Sequence, residues 1–137
     1  MKKILLDTHI FVWMIGGAEK LTKEAVRAIT EAIPDRRILL SGISIWEITM
    51  LNCKKKLKFS TPIRMWIEQS LTAPGLILAP LSHEVLIESC LLPGEVHGDP
   101  ADKIILATAR IENAVLITRD QKMLQYARSE KMPCIKG

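Results

Sequence analysis

The chain is poor in sulfur chemistry. Only three cysteines, Cys53, Cys90 and Cys134, occur in 137 residues. An odd count with no CxxC excludes a disulfide framework and a zinc ribbon. Their apolar neighbours predict reduced, mostly buried thiols in a cytoplasmic protein. Long apolar runs are also missing. Nothing approaches the ~20 residues of a membrane span, so no membrane association is expected. Lys2 and Lys3 with the apolar residues after them resemble the start of a signal peptide, but Asp7 and His9 interrupt a stretch that needs ~7–15 unbroken apolar residues. Neither GxGxxG nor GxxxxGKS/T is present, which leaves nucleotide binding by such loops without support. His9, His83 and His97 show no HExxH or other zinc spacing. No internal repeat, low-complexity tract or Gly/Ser linker is visible.

What remains is an ordinary globular balance, 48% apolar and 25% charged, which excludes global disorder. A chain of 137 residues is one domain's worth, 1–137, and buries roughly two-thirds of its unfolded surface. The net charge of +4 suits a polyanionic partner without establishing one.

Strand-like and helix-like stretches alternate. Ile4–Leu6, Ile38–Leu40, Leu76–Ala79 and Ala114–Ile117 read as short buried strands, with Cys134–Ile135 as an edge strand. Between them, helical patterns run over residues 10–15, from Thr22 to about Ile33, from Ser44 to about Cys53, and from Thr61-Pro62 with Pro at the first helical position. Further helices open at Ser82, at Asp99-Pro100 and near Gln121. Strands that are continuous apolar runs are covered on both faces. The expected fold is therefore α/β: a three-layer α/β/α sandwich around a parallel sheet of four to five strands. In such folds the site lies beyond the carboxyl ends of the strands.

Acids stand at those ends. Asp7 follows Ile-Leu-Leu. Glu47 follows the second strand, and Asp120 follows the fourth. Asp99 and Asp102 open the helix at 100. Each has an innocent reading: Asp7 as a cap or ion-pair partner, Ser44 with Glu47 as a capping box, Asp99 with Asp102 as another. Jointly they are harder to dismiss. Unit charges ~4 Å apart repel by about 4 kcal/mol at an effective dielectric near ~20, against a domain stability of ~5–15 kcal/mol. A divalent cation removes that cost, and all-oxygen ligation selects Mg²⁺ or Mn²⁺ over zinc. Such a site activates water and neutralises charge on a phosphodiester.

Four blocks carry a resemblance: Leu5-Leu6-Asp7-Thr8-His9, Ser44-Ile45-Trp46-Glu47-Ile48, His97-Gly98-Asp99-Pro100-Ala101-Asp102-Lys103-Ile104-Ile105 and Leu116-Ile117-Thr118-Arg119-Asp120. In this order, over essentially the whole chain, the sequence resembles the PIN-domain ribonucleases, specifically the VapC-type toxins of toxin–antitoxin pairs. The resemblance implies Asp7, Glu47, Asp102 and Asp120 as the catalytic acids, and Asp7, Asp102, Asp120 and the accessory Asp99 as metal ligands. Glu47 then completes the outer metal shell or takes a proton from water. The resemblance also implies Mg²⁺ or Mn²⁺, an RNA substrate, a small antitoxin and a homodimer. Thr8, Thr118, Lys103, Arg119 and Lys54 are expected to contact substrate, Thr8 and Thr118 also by holding a water at the metal. The chain departs from the family pattern at Lys103, where many relatives carry Arg, and at Gly98, where many carry Arg or Lys.

The run Lys54, Lys55, Lys56, Lys58 reads equally as a solvated loop or as phosphate contacts. Trp46 and Trp66 have the chemistry to stack bases, but apolar company favours core packing for both. Two rivals stay open. An aspartyl-nucleophile phosphatase wants a second Asp two residues after the first, where His9 stands. A binding module would use the acids only as caps.

Overall fold

The computed structural model describes residues 1–96 and 98–137; His97, which the motif above includes, lies outside the described residues. Among the described residues five strands, β1 (Ile4–Leu6), β2 (Ile38–Ser41), β3 (Leu76–Ala79), β4 (Val115–Thr118) and β5 (Cys134–Lys136), form one parallel sheet in the order β3-β2-β1-β4-β5. Leu5 of β1 is in register with Leu39 on one side and Leu116 on the other. The chain builds outward from β1 through β2 to β3, then crosses to β4. The switch point thus falls at β1.

Among the described residues seven α-helices flank the sheet: α1 (Thr8–Gly16), α2 (Lys23–Ala32), α3 (Gly42–Cys53), α4 (Ile63–Ser70), α5 (His83–Cys90), α6 (Pro100–Glu112) and α7 (Gln121–Ser129). Successive strand side chains point to opposite faces, and the two cores divide accordingly. Ile4, Leu6, Ile38, Leu40 and Ile117 pack with Ile10 and Phe11 of α1, Ile29 of α2 and Ile48 of α3. Leu5, Leu39 and Leu116 pack with Val85 of α5, Ile105 and Leu106 of α6, and Met123 and Tyr126 of α7. The expected three layers are present. Each fully buried Leu or Ile contributes about 1.5–3 kcal/mol of transfer free energy.

Several local expectations are corrected. The helix after β2 begins at Gly42, two residues early, because the Ser41 hydroxyl accepts the Ile43 N–H. Ser44 therefore lies inside the first turn and does not form a capping box with Glu47. Pro62 takes the cap position of α4 rather than the first helical one. Cys53 and Cys90 are exposed and Cys134 is half-buried, since all three fall at element ends or an edge strand. The central strands are covered on both faces, but the edge strand β3 exposes Ile77 and Leu78. The turn into β3 needs Gly75. Its φ is +78°, and a Cβ there would lie 2.7 Å from the Ile33 Cα.

Candidate active site

The capping reading and the clustering reading of the acids describe one arrangement. Asp7 caps α1, Asp99 caps α6 and Asp120 caps α7. At the junctions after β1 and β4 a single residue or two separates strand from helix. An acid that starts the helix there must also stand at the carboxyl edge of the sheet. Positive helix N-termini favour carboxylates in those places.

Hydrogen bonds fix the individual oxygens. Asp7 Oδ1 accepts the Thr8 N–H at 2.8 Å, and Oδ2 accepts the Thr118 hydroxyl at 2.6 Å. The Thr118 oxygen in turn accepts the Asp120 N–H at 3.0 Å. One buried threonine at the end of β4 therefore sets two acids. Asp120 Oδ1 accepts the N–H groups of Lys122 and Met123 at 2.8 and 3.2 Å. Asp99 Oδ1 accepts the Asp102 N–H at 2.9 Å. The Thr8 hydroxyl donates to Glu47 Oε1 at 2.5 Å and lies 2.9 Å from Ser44 Oγ. Ser44 and Glu47 sit three residues apart on one face of α3. Both threonine hydroxyls donate to carboxylates, so Thr8 and Thr118 position acids. Ser44, read from sequence only as a cap, is a third member of this set.

Among the described residues, Glu47, Asp99 and Asp102 form the tight group, each offering an oxygen within 4.8 Å of the others. Asp7 and Asp120 stand within electrostatic reach. Burial pushes the Asp102 carboxyl from 3.8 up to about 7, and Asp99, Asp7 and Asp120 add to the rise. Burial also raises Asp7, against the Thr118 and Thr8 hydrogen bonds. Glu47 is raised by burial, and further by Asp7 and Asp99. Acids far apart in sequence thus meet in one region, with Glu47, Asp99 and Asp102 as the tight group and Asp7 and Asp120 near enough to raise Asp102. The donors are all carboxylate oxygens, which fit Mg²⁺ or Mn²⁺.

A pH dependence follows. Near neutral pH, protonated Asp102 in the folded state faces an unfolded-state carboxyl that titrates near 3.8. Between those values the folded state binds the extra proton, so stability falls as pH rises. Thermal melts of the metal-free protein are expected to show a higher Tm at pH 5 than at pH 8. Mg²⁺ should raise the Tm more at pH 8, where its ligands are already ionised. A pH-independent Mg²⁺ effect would contradict the assignment.

The other candidates divide. His9 is exposed and lies close enough to lower both Asp7 and Glu47. Arg119 is committed elsewhere: its Nε donates to the Gly137 carbonyl, Nη2 donates to the Lys20 carbonyl, and the guanidinium lies 4.6 Å from the Trp13 ring centre. Lys103 lines a groove with Leu86, Cys90 and Ile104, on the α5 side of α6. Lys54 is exposed at the end of α3. Gly98 lies against the site, with φ +147°, and a Cβ there would come 2.9 Å from an Asp102 carboxylate oxygen. A long basic side chain at this position would displace Asp102. Trp66 packs against Phe11 and Phe59 as expected. Trp46 does not: it is 59% exposed, beside an apolar cleft formed with Ile43, Met50, Pro100, Ala101 and Ile104.

The profile of the PIN domain matches residues 4–129. The chain belongs to the PIN-domain family. It is 28% identical over 126 residues to Ribonuclease VapC22 of Mycobacterium tuberculosis, covering 92% of this chain and 93% of that one. A toxin–antitoxin complex from Klebsiella pneumoniae is 25% identical, with a TM-score of 0.60 over 89% of this chain and 90% of that chain. DNA-bound VapBC from Salmonella typhimurium shares the PIN fold at a TM-score of 0.69 and 16% identity, over 98% of each chain. Among the described residues no helix of this PIN domain is long and apolar enough to cross a membrane.

Proposed function

We propose that this protein is a metal-dependent ribonuclease, a single PIN domain over 1–137, acting as the toxin of a toxin–antitoxin pair. The observation that carries the reading is the gathering of acids at one sheet edge: Glu47, Asp99 and Asp102 offer oxygens within 4.8 Å of one another, and Asp7 and Asp120 lie near enough to add to the rise that burial imposes on Asp102. Glu47, Asp99 and Asp102 would hold Mg²⁺ or Mn²⁺, with Asp7 and Asp120 adding negative charge beside them. The cation, when bound, supplies charge neutralisation at the phosphodiester and a more acidic water. The chain's own part is to hold the acids in place through Thr8, Thr118 and Ser44. The N–H groups at the start of α6 face anionic oxygens favourably. Glu47 would either ligate the cation or, held by Thr8 in its outer shell, take a proton from water.

The likeness to Ribonuclease VapC22 and to toxin–antitoxin complexes supports an RNA substrate and a small antitoxin partner. Exposed Leu86, Ile87 and Leu91 on and after α5 support a homodimer, since a second chain would cover them. The test is cleavage of a mixed RNA pool with Mg²⁺, with EDTA, and after Mg²⁺ is restored. Cleavage should vanish with EDTA and return with the metal. Undiminished cleavage in EDTA, or none in any condition, overturns the reading.

A further inference from the structure

Trp46 precedes Glu47 on α3, so the helix turns it about 100° away from that carboxylate. Its indole is 59% exposed, unusual for the largest apolar side chain in a protein whose other tryptophans are packed more deeply. The cleft beside it holds about 340 Å³, within the range of small-molecule sites. Ile43, Met50, Pro100, Ala101 and Ile104 give it an apolar lining, and its polar wall is Glu47 and Asp99. Two of the three carboxylates in the tight acidic group therefore face the same space as the indole. Along the same helix face, Trp46, Met50 and Lys54 follow at steps of four. That places the exposed Lys54 about 12 Å further along the helix axis, with no ion pair among the described residues.

We propose that this cleft is a nucleobase subsite: the base next to the scissile phosphate stacks on Trp46, and a neighbouring phosphate of the strand meets Lys54. The proposal rests on the ribonuclease reading and adds to it a binding residue and a direction for the strand. A flat π-face suits an aromatic platform whatever the base, so the subsite favours unpaired nucleotides without choosing among them strongly. The indole in the cleft and the Lys54 ammonium further along the helix fit a ligand that alternates between ring and phosphate.

The experiment is steady-state cleavage of a short single-stranded RNA in Mg²⁺. Trp46→Ala is expected to raise KM about 10-fold, the scale of one base–aromatic stack, with the loss falling on KM rather than kcat. Trp46→Phe should recover most of it. Removing the base beside the cleaved bond should cost wild type a similar factor and cost Trp46→Ala little more, because the contact is already gone. An unchanged KM in Trp46→Ala overturns the subsite. So does a loss that tracks a change in oligomeric state on gel filtration, which assigns this face to a second copy. If wild type cleaves no RNA in Mg²⁺, the ribonuclease reading falls and takes the subsite with it. If wild type cleaves and Trp46→Ala matches it, only the subsite falls.

Discussion

Asp102→Asn is expected to lower RNA cleavage by about 10³-fold, comparable to removing a charge-stabilising group from a transition state, and at the same time to raise the stability of the metal-free protein at pH 8. Both effects come from one property. The Asp102 carboxylate is partly desolvated and sits beside three like charges, which is why it is held near 7. An asparagine keeps the shape and removes the repulsion. It also removes an anionic donor from the group of three. The stability gain should be present at pH 8 and shrink toward pH 5, where wild-type Asp102 is already protonated. In saturating Mg²⁺ the order should invert, with wild type melting at the higher temperature. A variant that cleaves RNA as well as wild type, or whose metal-free Tm falls at pH 8, would remove Asp102 from the centre of the site. Paired melts with and without Mg²⁺ at the two pH values decide this.

Thr118→Val is the second. It preserves volume and removes a hydroxyl that donates to Asp7 at 2.6 Å and accepts from the Asp120 N–H at 3.0 Å. Asp7 is raised by burial and lowered by this hydrogen bond, so its loss pushes the carboxyl further up. The expected cost is about 1–3 kcal/mol, for leaving buried polar groups without a partner. The cost should be larger at pH 8 than at pH 5, since only the ionised carboxylate misses the donor strongly. Cleavage should fall about 10–100-fold, the range for a residue that orients metal-binding groups. Thr118→Ser, which keeps the hydroxyl, should recover most of both. Denaturant melts at two pH values with parallel cleavage assays make the comparison. If Val and Ser behave alike, the hydroxyl has no such role.

The layered architecture was legible because its signals are local. Ile4–Leu6, Ile38–Leu40 and the strand before Thr118 are uninterrupted apolar runs, and Thr22, Ser82 and Asp99 are cap residues in the expected places. The acids could be found because the strand-end rule converts positions along a chain into one place in space. What stayed hidden depends on distances no pattern encodes. Ser44 and Glu47 suit a capping box by spacing, but Ser41 took the cap, and Ser44 turned to Thr8, 36 residues away. Arg119 stands in a motif with Asp120, yet its reach to Gly137 and Lys20 depends on β5 and the turn after α1. Trp46 lies in apolar company in sequence, but residues flanking it on a helix face other directions, so the indole emerges at the surface. The identity of the tight trio was equally invisible. Asp99 and Asp102 approach Glu47 only because α3 and α6 pack side by side.

Because Asp7, Asp99 and Asp120 each begin a helix, they are held by folding as well as by chemistry. Glu47 and Asp102 begin none. A descendant of this protein that had lost its catalysis would be free to discard the latter two first. At 7, 99 and 120 it would still need a short side chain with an oxygen, because a lost cap costs about 1 kcal/mol per helix. Decay of the site would then be uneven, with positions 47 and 102 drifting to apolar or basic residues while 7, 99 and 120 stayed Asp, Asn, Ser or Thr. Such a pattern would separate a silenced copy from a working one without any assay.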